Sequence, residues 1–246
     1  MNIANKTVLI TGANRGIGRA LVNEALRRGA KRVYAGRRSG ELQNADDRVT
    51  PLRLDVTNLS QIQRAVDQVD NLDVLINNAG VAIYDDLSNS DAIEQHLSVN
   101  FLGMFKVTRA FLPLLQRSSG AIVNNLSLVA LAPLPVIPSY SISKAAASNM
   151  TQSLRALLAG QGITVHGVFL GPIDTDMNRG FDIPKASTES AARGIFDGLE
   201  KGEEDIFPDP ASQSIAEGWR TGAAKALERQ FAAFVPERQQ MLCDLL

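Results

Sequence analysis

The sequence predicts an α/β fold in which short apolar strands alternate with amphipathic helices. Three observations lead there. Lys6-Thr-Val-Leu-Ile-Thr11 is a β-branched apolar run that stops at a glycine-rich turn and is followed by a helical stripe. Comparable runs recur at 31–35, 49–54, 72–76, 120–126 and 163–169, with helical spacing between most of them. With 246 residues, 45% of them hydrophobic, the chain can bury one sizeable core, so a single domain over 1–246 is expected.

The first strand, 6–11, opens into Gly12-Ala-Asn-Arg-Gly-Ile-Gly18, and Ile17, Ala20, Leu21 and Leu26 form the inner stripe of the helix that follows. Strand, glycine turn and helix in this order let backbone approach a pyrophosphate at the positive end of the helix, where unpaired N–H groups meet the anion. Gly12, Asn14, Arg15, Gly16, Ile17 and Gly18 are therefore candidate cofactor-binding residues. Their G-x3-G-x-G spacing differs from the G-x-G-x2-G of the commoner dinucleotide fingerprint. At the end of the second strand, about 20 residues beyond such a loop, stands the position that meets an adenosine ribose. Here the chain has Gly36-Arg37-Arg38 and no carboxylate. Two guanidiniums suit a 2′-phosphate, Arg15 points the same way, and NADP(H) is favoured over NAD(H).

The third strand, 49–54, runs into Asp55 and Val56, which are candidates for the adenine end of the cofactor, while Asp55 equally suits a turn or cap. A helix over about 58–69 carries Leu59, Ile62, Ala65, Val66 and Val69 inward. The fourth strand, 72–76, leads to Asn77-Asn-Ala-Gly80, where Asn78, Ala79 and Gly80 suit packing of loop backbone against a ribose. One long helix is expected over about 91–116, with Asn100 inside it and in need of a polar partner if buried. The fifth strand, 120–126, delivers Ser127 at its carboxyl end, and an apolar, proline-punctuated loop at 128–138 precedes a helix over about 140–159. His166, in the sixth strand, reads as a packed strand residue. A helix at 189–201, a short strand at 205–207 and a C-terminal helical segment at about 210–234 complete the chain.

The chemistry centres on Tyr140-Ser-Ile-Ser-Lys144. Four residues apart on a helix puts a phenol and an ammonium on one face, about 5–6 Å apart at Cβ. A free tyrosine ionises near pH ~10, and an adjacent cation is expected to lower that value and make Tyr140 a general acid or base.

Composition narrows the partners. A net charge of -1, a pI near 6.2 and scattered basic residues leave no strong field for nucleic acid or anionic lipid. The first residues lack an apolar signal region and no stretch reaches the ~18 apolar residues of a membrane span, so a cytoplasmic location is expected. The one cysteine, Cys243, forms no internal disulfide, and with His96 and His166 far apart no metal site is expected.

Thr11-Gly-Ala-Asn-Arg-Gly-Ile-Gly18, Asn77-Asn-Ala-Gly80, Asn100, Ser127, Tyr140 and Lys144, in this order and spacing, resemble a short-chain dehydrogenase/reductase over about 6–175. The resemblance implies a Rossmann-type, doubly wound domain with a seven-stranded parallel sheet, helices on both faces and NAD(P)(H) as hydride carrier. It implies that Tyr140 exchanges the proton, Lys144 lowers its pKa and holds the nicotinamide ribose, Ser127 hydrogen-bonds the substrate oxygen, and Asn100 holds a water in the relay to Lys144. Gly171, Ile173 and Thr175 match the stretch that meets the nicotinamide carboxamide, and 173–190 matches a mobile substrate lid. A homodimer or homotetramer follows from the family's habit of pairing the two long helices across a two-fold axis. The chain departs from the family at Asn125-Leu126, where Ile-Ser is frequent, and at Leu170, where a Pro-Gly pair is usual.

The function expected is NADPH-dependent interconversion of a ketone and a secondary alcohol. The loops 81–84, 128–138 and 177–181 are mostly apolar, which favours an uncharged or apolar carbonyl compound. One alternative is a 3-oxoacyl thioester reductase, which would carry a basic patch for an acidic acyl carrier protein. Another is a non-catalytic NADP(H)-sensing regulatory or scaffold protein, against which the Tyr140/Lys144 pair argues.

Overall fold

The computed structural model describes residues 1–39, 46–180 and 182–235. Its strands are β1 (Thr7–Thr11), β2 (Arg32–Arg37), β3 (Val49–Arg53), β4 (Val74–Asn77), β5 (Ala121–Asn125), β6 (Thr164–Val168) and β7 (Asp205–Ile206). They form one parallel seven-stranded sheet in the order β3-β2-β1-β4-β5-β6-β7. The order reverses between β1 and β4, and the crevice beyond the carboxyl ends of these two strands is where ligands bind such sheets.

The α-helices are α1 (Gly16–Arg27), α2 (Leu59–Asp67), α3 (Ser90–His96), α4 (Met104–Ser118), α5 (Pro138–Leu158), α6 (Thr188–Lys201), α7 (Pro210–Thr221) and α8 (Ala223–Ala232). Alternation along each strand sorts them into layers. Val8, Ile10, Val74, Ile76 and Val123 face α1 and α6, where Leu21, Ala25, Ile195 and Phe196 are fully buried. Leu9, Leu75, Ile122 and Val165 face the other way and pack with Ile62, Val107, Phe111 and Leu158 of α2, α4 and α5. A third cluster, in which Phe169, Phe207 and Ala216 meet, seats α7 beside the sheet's β7 edge.

The continuous helix expected over 91–116 is in fact three pieces. Between α3 and α4 lies a π-helical stretch, Leu97–Gly103. Residue propensities do not distinguish it, because its cause is tertiary. Asn100 is completely buried and turned toward Val81 and Ser143, and at Gly103 an added Cβ would stand 2.7 Å from Val56 Cγ2. The wider turn lets the helix present Asn100 inward while its backbone passes close to Val56.

The C-terminal helices are held by charge as well as by apolar contact. Asp205 of β7 takes Arg155 of α5 at 2.7 Å and Lys225 of α8 at 2.9 Å, and it accepts from the indole N–H of Trp219 at 2.8 Å. Glu228 pairs with both Arg155 and Lys225. Burial alone would raise the Asp205 carboxyl, yet Arg155 and Lys225 hold it below the usual carboxylate range. Among the described residues no helix is long and apolar enough to cross a membrane. Cys243 and Phe181 lie outside the described residues.

Candidate active site

The site begins where β1 ends. Thr11 Oγ1 accepts the backbone N–H groups of Asn78 and Ala79, both at 2.9 Å, which holds the ends of β1 and β4 together. Gly12 and Gly16 adopt φ of 67° and 51°, in the left-handed region. At Gly18 an added Cβ would lie 2.0 Å from the Gly12 carbonyl oxygen, so only glycine allows this loop to fold onto the helix start. Arg15, the N-cap of α1, makes no side-chain cap, and no acidic residue stands in the first turn. The helix therefore offers N–H groups to an anion at the carboxyl edge of the sheet, a geometry that fits a pyrophosphate.

Around this loop the predicted cofactor residues divide into those that face the crevice and those spent on structure. Asn14 donates to the Ser39 carbonyl at 3.4 Å, and Ile17 packs its side chain toward the α1–α6 core. Arg37 closes β2 opposite Arg53, Arg38 is exposed, and Gly36 is buried with Leu54 Cδ2 only 3.0 Å from where a Cβ would be. Asp55 Oδ1 accepts from Thr57 N and Thr57 Oγ1, so its carboxylate is held in a local turn, and Val56 is buried against Gly103. Asn78 donates to the carbonyls of Thr11 and Gly12 and accepts from Asn125 Nδ2 at 2.9 Å. Its side chain braces the glycine loop.

At the other side of the crevice, α5 opens on Tyr140 and Lys144. Lys144 is 5% exposed, donates to the Asn125 carbonyl at 2.7 Å, and its Nζ lies 5.7 Å from the Tyr140 ring centroid. Gly80 lets the chain pass close to Asn100: a Cβ there would be 3.2 Å from Asn100 Oδ1, with Lys144 Nζ 3.9 Å away. Asn100 spends its amide on the protein, accepting from Val81 N–H and donating to Val81 O and Ser143 Oγ, all at 2.9 Å. Ser127 Oγ donates to Leu170 O and accepts from Val129 N–H, each at 3.3 Å.

The net lowering expected for the Tyr140 pKa is not what this environment gives, because burial outweighs the attraction of the Lys144 ammonium 5.7 Å from the ring centroid. Burial pushes the half-buried Tyr140 phenol up to about 12, with a hydrogen bond to Ser127 opposing the rise. Burial likewise brings the Lys144 ammonium down to about 8. The lysine's near partner is a carbonyl, so the two groups share desolvation more than they share charge.

The stretch after β6 is tied inward. Gly171 N–H donates to Asp209 Oδ2 at 2.9 Å, Ile173 O accepts from Asn178 Nδ2 at 2.8 Å, and Ile173 bridges Ala186. Thr175 Cγ2 lies 3.3 Å from where a Gly16 Cβ would stand, and Asp176 reaches Arg15 at 3.5 Å. Thr175 and Asp176 thus rest against the glycine loop. Asp209 and His96 were not among the sequence candidates. Asp209-Pro210 carries an N-cap signal, but its contact with Gly171 spans 38 residues.

A parallel sheet with an uncapped helix start at its switch point, and a tyrosine–lysine pair facing it, defines a dinucleotide-dependent oxidoreductase architecture. Comparison with known proteins carries this further. The family model described as short chain dehydrogenase matches residues 6–185, and the chain belongs to that family. It is 31% identical to "11-beta-hydroxysteroid dehydrogenase A" of Sesamum indicum, over 94% of this chain and 75% of that protein. It is 32% identical to "11-beta-hydroxysteroid dehydrogenase-like 3" of Arabidopsis thaliana, over 82% of this chain and 72% of that protein. Among solved structures, a short chain dehydrogenase from Burkholderia cenocepacia J2315 in complex with NADP superposes with a TM-score of 0.86 at 37% identity, covering 94% of this chain and 98% of that one. "ElxO with NADP Bound" superposes with a TM-score of 0.76 at 25% identity, covering 85% and 99%.

Proposed function

We propose that the protein is an NADPH-dependent carbonyl reductase that interconverts an apolar ketone and its secondary alcohol. The observation that supports this reading is the meeting of Tyr140 with Ser127 and Lys144, the lysine bound to the carboxyl end of β5, on the same sheet whose β1 runs into the uncapped start of α1. Gly12, Gly16 and Gly18 with the first turn of α1 would hold the pyrophosphate of NADP(H). Arg37, Arg38 and Arg15 would meet its 2′-phosphate, and Ala79, Gly80 and Lys144 the nicotinamide ribose. When bound, the cofactor supplies the hydride. Hydride addition leaves an alkoxide, and Tyr140 is the donor for it: a phenol raised to about 12 keeps its proton at neutral pH. Ser127 hydrogen-bonds the same oxygen, and Lys144, charged below about 8, stabilises the tyrosinate that remains.

Exposed Tyr84, Leu134, Val136 and Met177, on the loops proposed to line the pocket and in the proposed lid 173–190, support an apolar substrate. The hydroxysteroid names of two relatives are compatible with a bulky one. The test is a panel of aldehydes, ketones and alcohols followed by NADPH absorbance, with Tyr140→Phe beside wild type. Turnover is expected to fall by at least ~10²-fold while NADPH fluorescence titration still reports binding. Near-wild-type turnover by the variant removes Tyr140 from the chemistry.

A further inference from the structure

His96 is completely buried at the end of α3, and its imidazole Nε2 accepts the Ile83 N–H at 2.9 Å. That bond sets the tautomer: the ring is neutral and its proton is on Nδ1, on the side of the Ala92 backbone one turn back. The same ring stands edge-on to Tyr140, with centroids 5.9 Å apart at 66°. Four residues on, Asn100 holds Val81 by both its N–H and its carbonyl. From α5, Ser139, next to the tyrosine, donates to Asp85 Oδ1 at 2.8 Å. Segment 81–85, which leaves Gly80 beside Lys144, is thus fastened at three points. Of the three, only the bond at Ile83 depends on an imidazole.

We propose that His96 is a positioning residue whose neutral imidazole latches segment 81–85 against the Tyr140 ring, and that a proton on Nε2 opens the latch. The proposal rests on the reading of Tyr140 as the proton donor. A protonated imidazole presents N–H where Ile83 also presents N–H, so acceptance turns into repulsion. The titratable groups that face the ring are Asp85 from the segment and Tyr140 from α5. Burial pushes the His96 pKa below the usual imidazole range, with the Ala92 backbone and then Asp85 pulling the other way, so the latch is closed at neutral pH and opens on the acid side.

Two variants separate the acceptor from the ring. His96→Gln keeps a neutral acceptor without the titration, and His96→Phe keeps the ring edge without the acceptor. The first measurement is the amide-exchange protection of Ile83, corrected for the intrinsic pH dependence, by NMR from pH 5 to 8. In wild type, protection is expected to fall by roughly tenfold on the acid side, about the worth of one lost hydrogen bond. His96→Gln should stay protected with no acid loss, and His96→Phe should be unprotected throughout. The second measurement is the pH profile of KM with NADPH and a ketone that wild type reduces. KM should rise on the acid side in wild type and be flat in His96→Gln, while His96→Phe raises KM more than it lowers kcat. Protection of Ile83 that ignores pH in wild type, or survives in His96→Phe, overturns the latch. Protection that behaves as stated with an unmoved KM overturns the positioning role. A protein that reduces no ketone sinks the proposed function and the positioning role that rests on it, while the exchange data still decide the latch.

Discussion

The tyrosine and the lysine hold their protons at opposite ends of the accessible range, and that difference gives the site a direction. With Tyr140 near 12 and Lys144 near 8, the state competent for carbonyl reduction is phenol plus ammonium. The first group to leave that state as pH rises is the lysine. The proton-dependent part of kcat/KM for reduction is therefore expected to decline as pH passes about 8, and a stopped-time NADPH assay from pH 6 to 10 reads it. A profile flat to pH 10 excludes Lys144 as the titrating group. The proposed preference for NADP(H) also rests on single residues. A charge-assisted contact contributes about 1.5–3 kcal/mol, so Arg37→Ala is expected to weaken NADPH binding by roughly ten- to a hundredfold and leave NADH binding nearly unchanged. Fluorescence titration of both cofactors at matched salt checks this, and equal losses for the two would place Arg37 away from the 2′-phosphate. Arg37 is the better position to alter, because a side chain at Gly36 would press on Leu54 and the Ile10 carbonyl.

Elements made by local pattern were legible, and elements made by distant contact were not. The strand at 7–11, its glycine turn and α1 follow from β-branched alternation, a turn that requires positive φ and a helical stripe. The same reading placed Ser127, Tyr140 and Lys144 on the right elements. It missed the π stretch, because a wider helical turn is imposed here by Asn100 and Val56 and not by residue preference. It left open which neighbours Asn78 and Asp55 meet, since a lone amide or carboxylate does not reveal which nearby N–H or carbonyl it will find. Asp209 shows the limit well. Its side chain caps α7, accepting from Ser212 N–H at 3.0 Å, and also holds Gly171 N–H from 38 residues away. Asp209→Ala is expected to cost about 2 kcal/mol, a cap plus a buried donor left unpaired, as measured by urea unfolding. A loss under about 0.5 kcal/mol would mean that water replaces both bonds.

At the scale of the molecule, the outer faces of the site helices are the next question. Leu102 of the π stretch, Phe105 of α4 and Ile142 of α5 each leave 41% of their surface to solvent. Exposed apolar side chains on these elements support the proposal of a homo-oligomer built on them. Light scattering at micromolar concentration is expected to give a dimer or tetramer, and Phe105→Glu should shift it toward monomer. A monomeric wild type would contradict the proposal.

The sheet order also sets a timetable for the chain as it is synthesised. β1 is made first but occupies the middle of the sheet, with β2 on one side and β4 on the other. Its second flank stays open until Val74–Asn77 has been produced, and β4 in turn waits for Ala121–Asn125. Each parallel pairing closes a long loop before any contact repays it, so the rate of acquiring the native sheet is governed by these closures and not by helix formation. During that interval the edge of a strand carrying Val8, Leu9 and Ile10 is bare, and this is the period in which the nascent protein is most exposed to self-association.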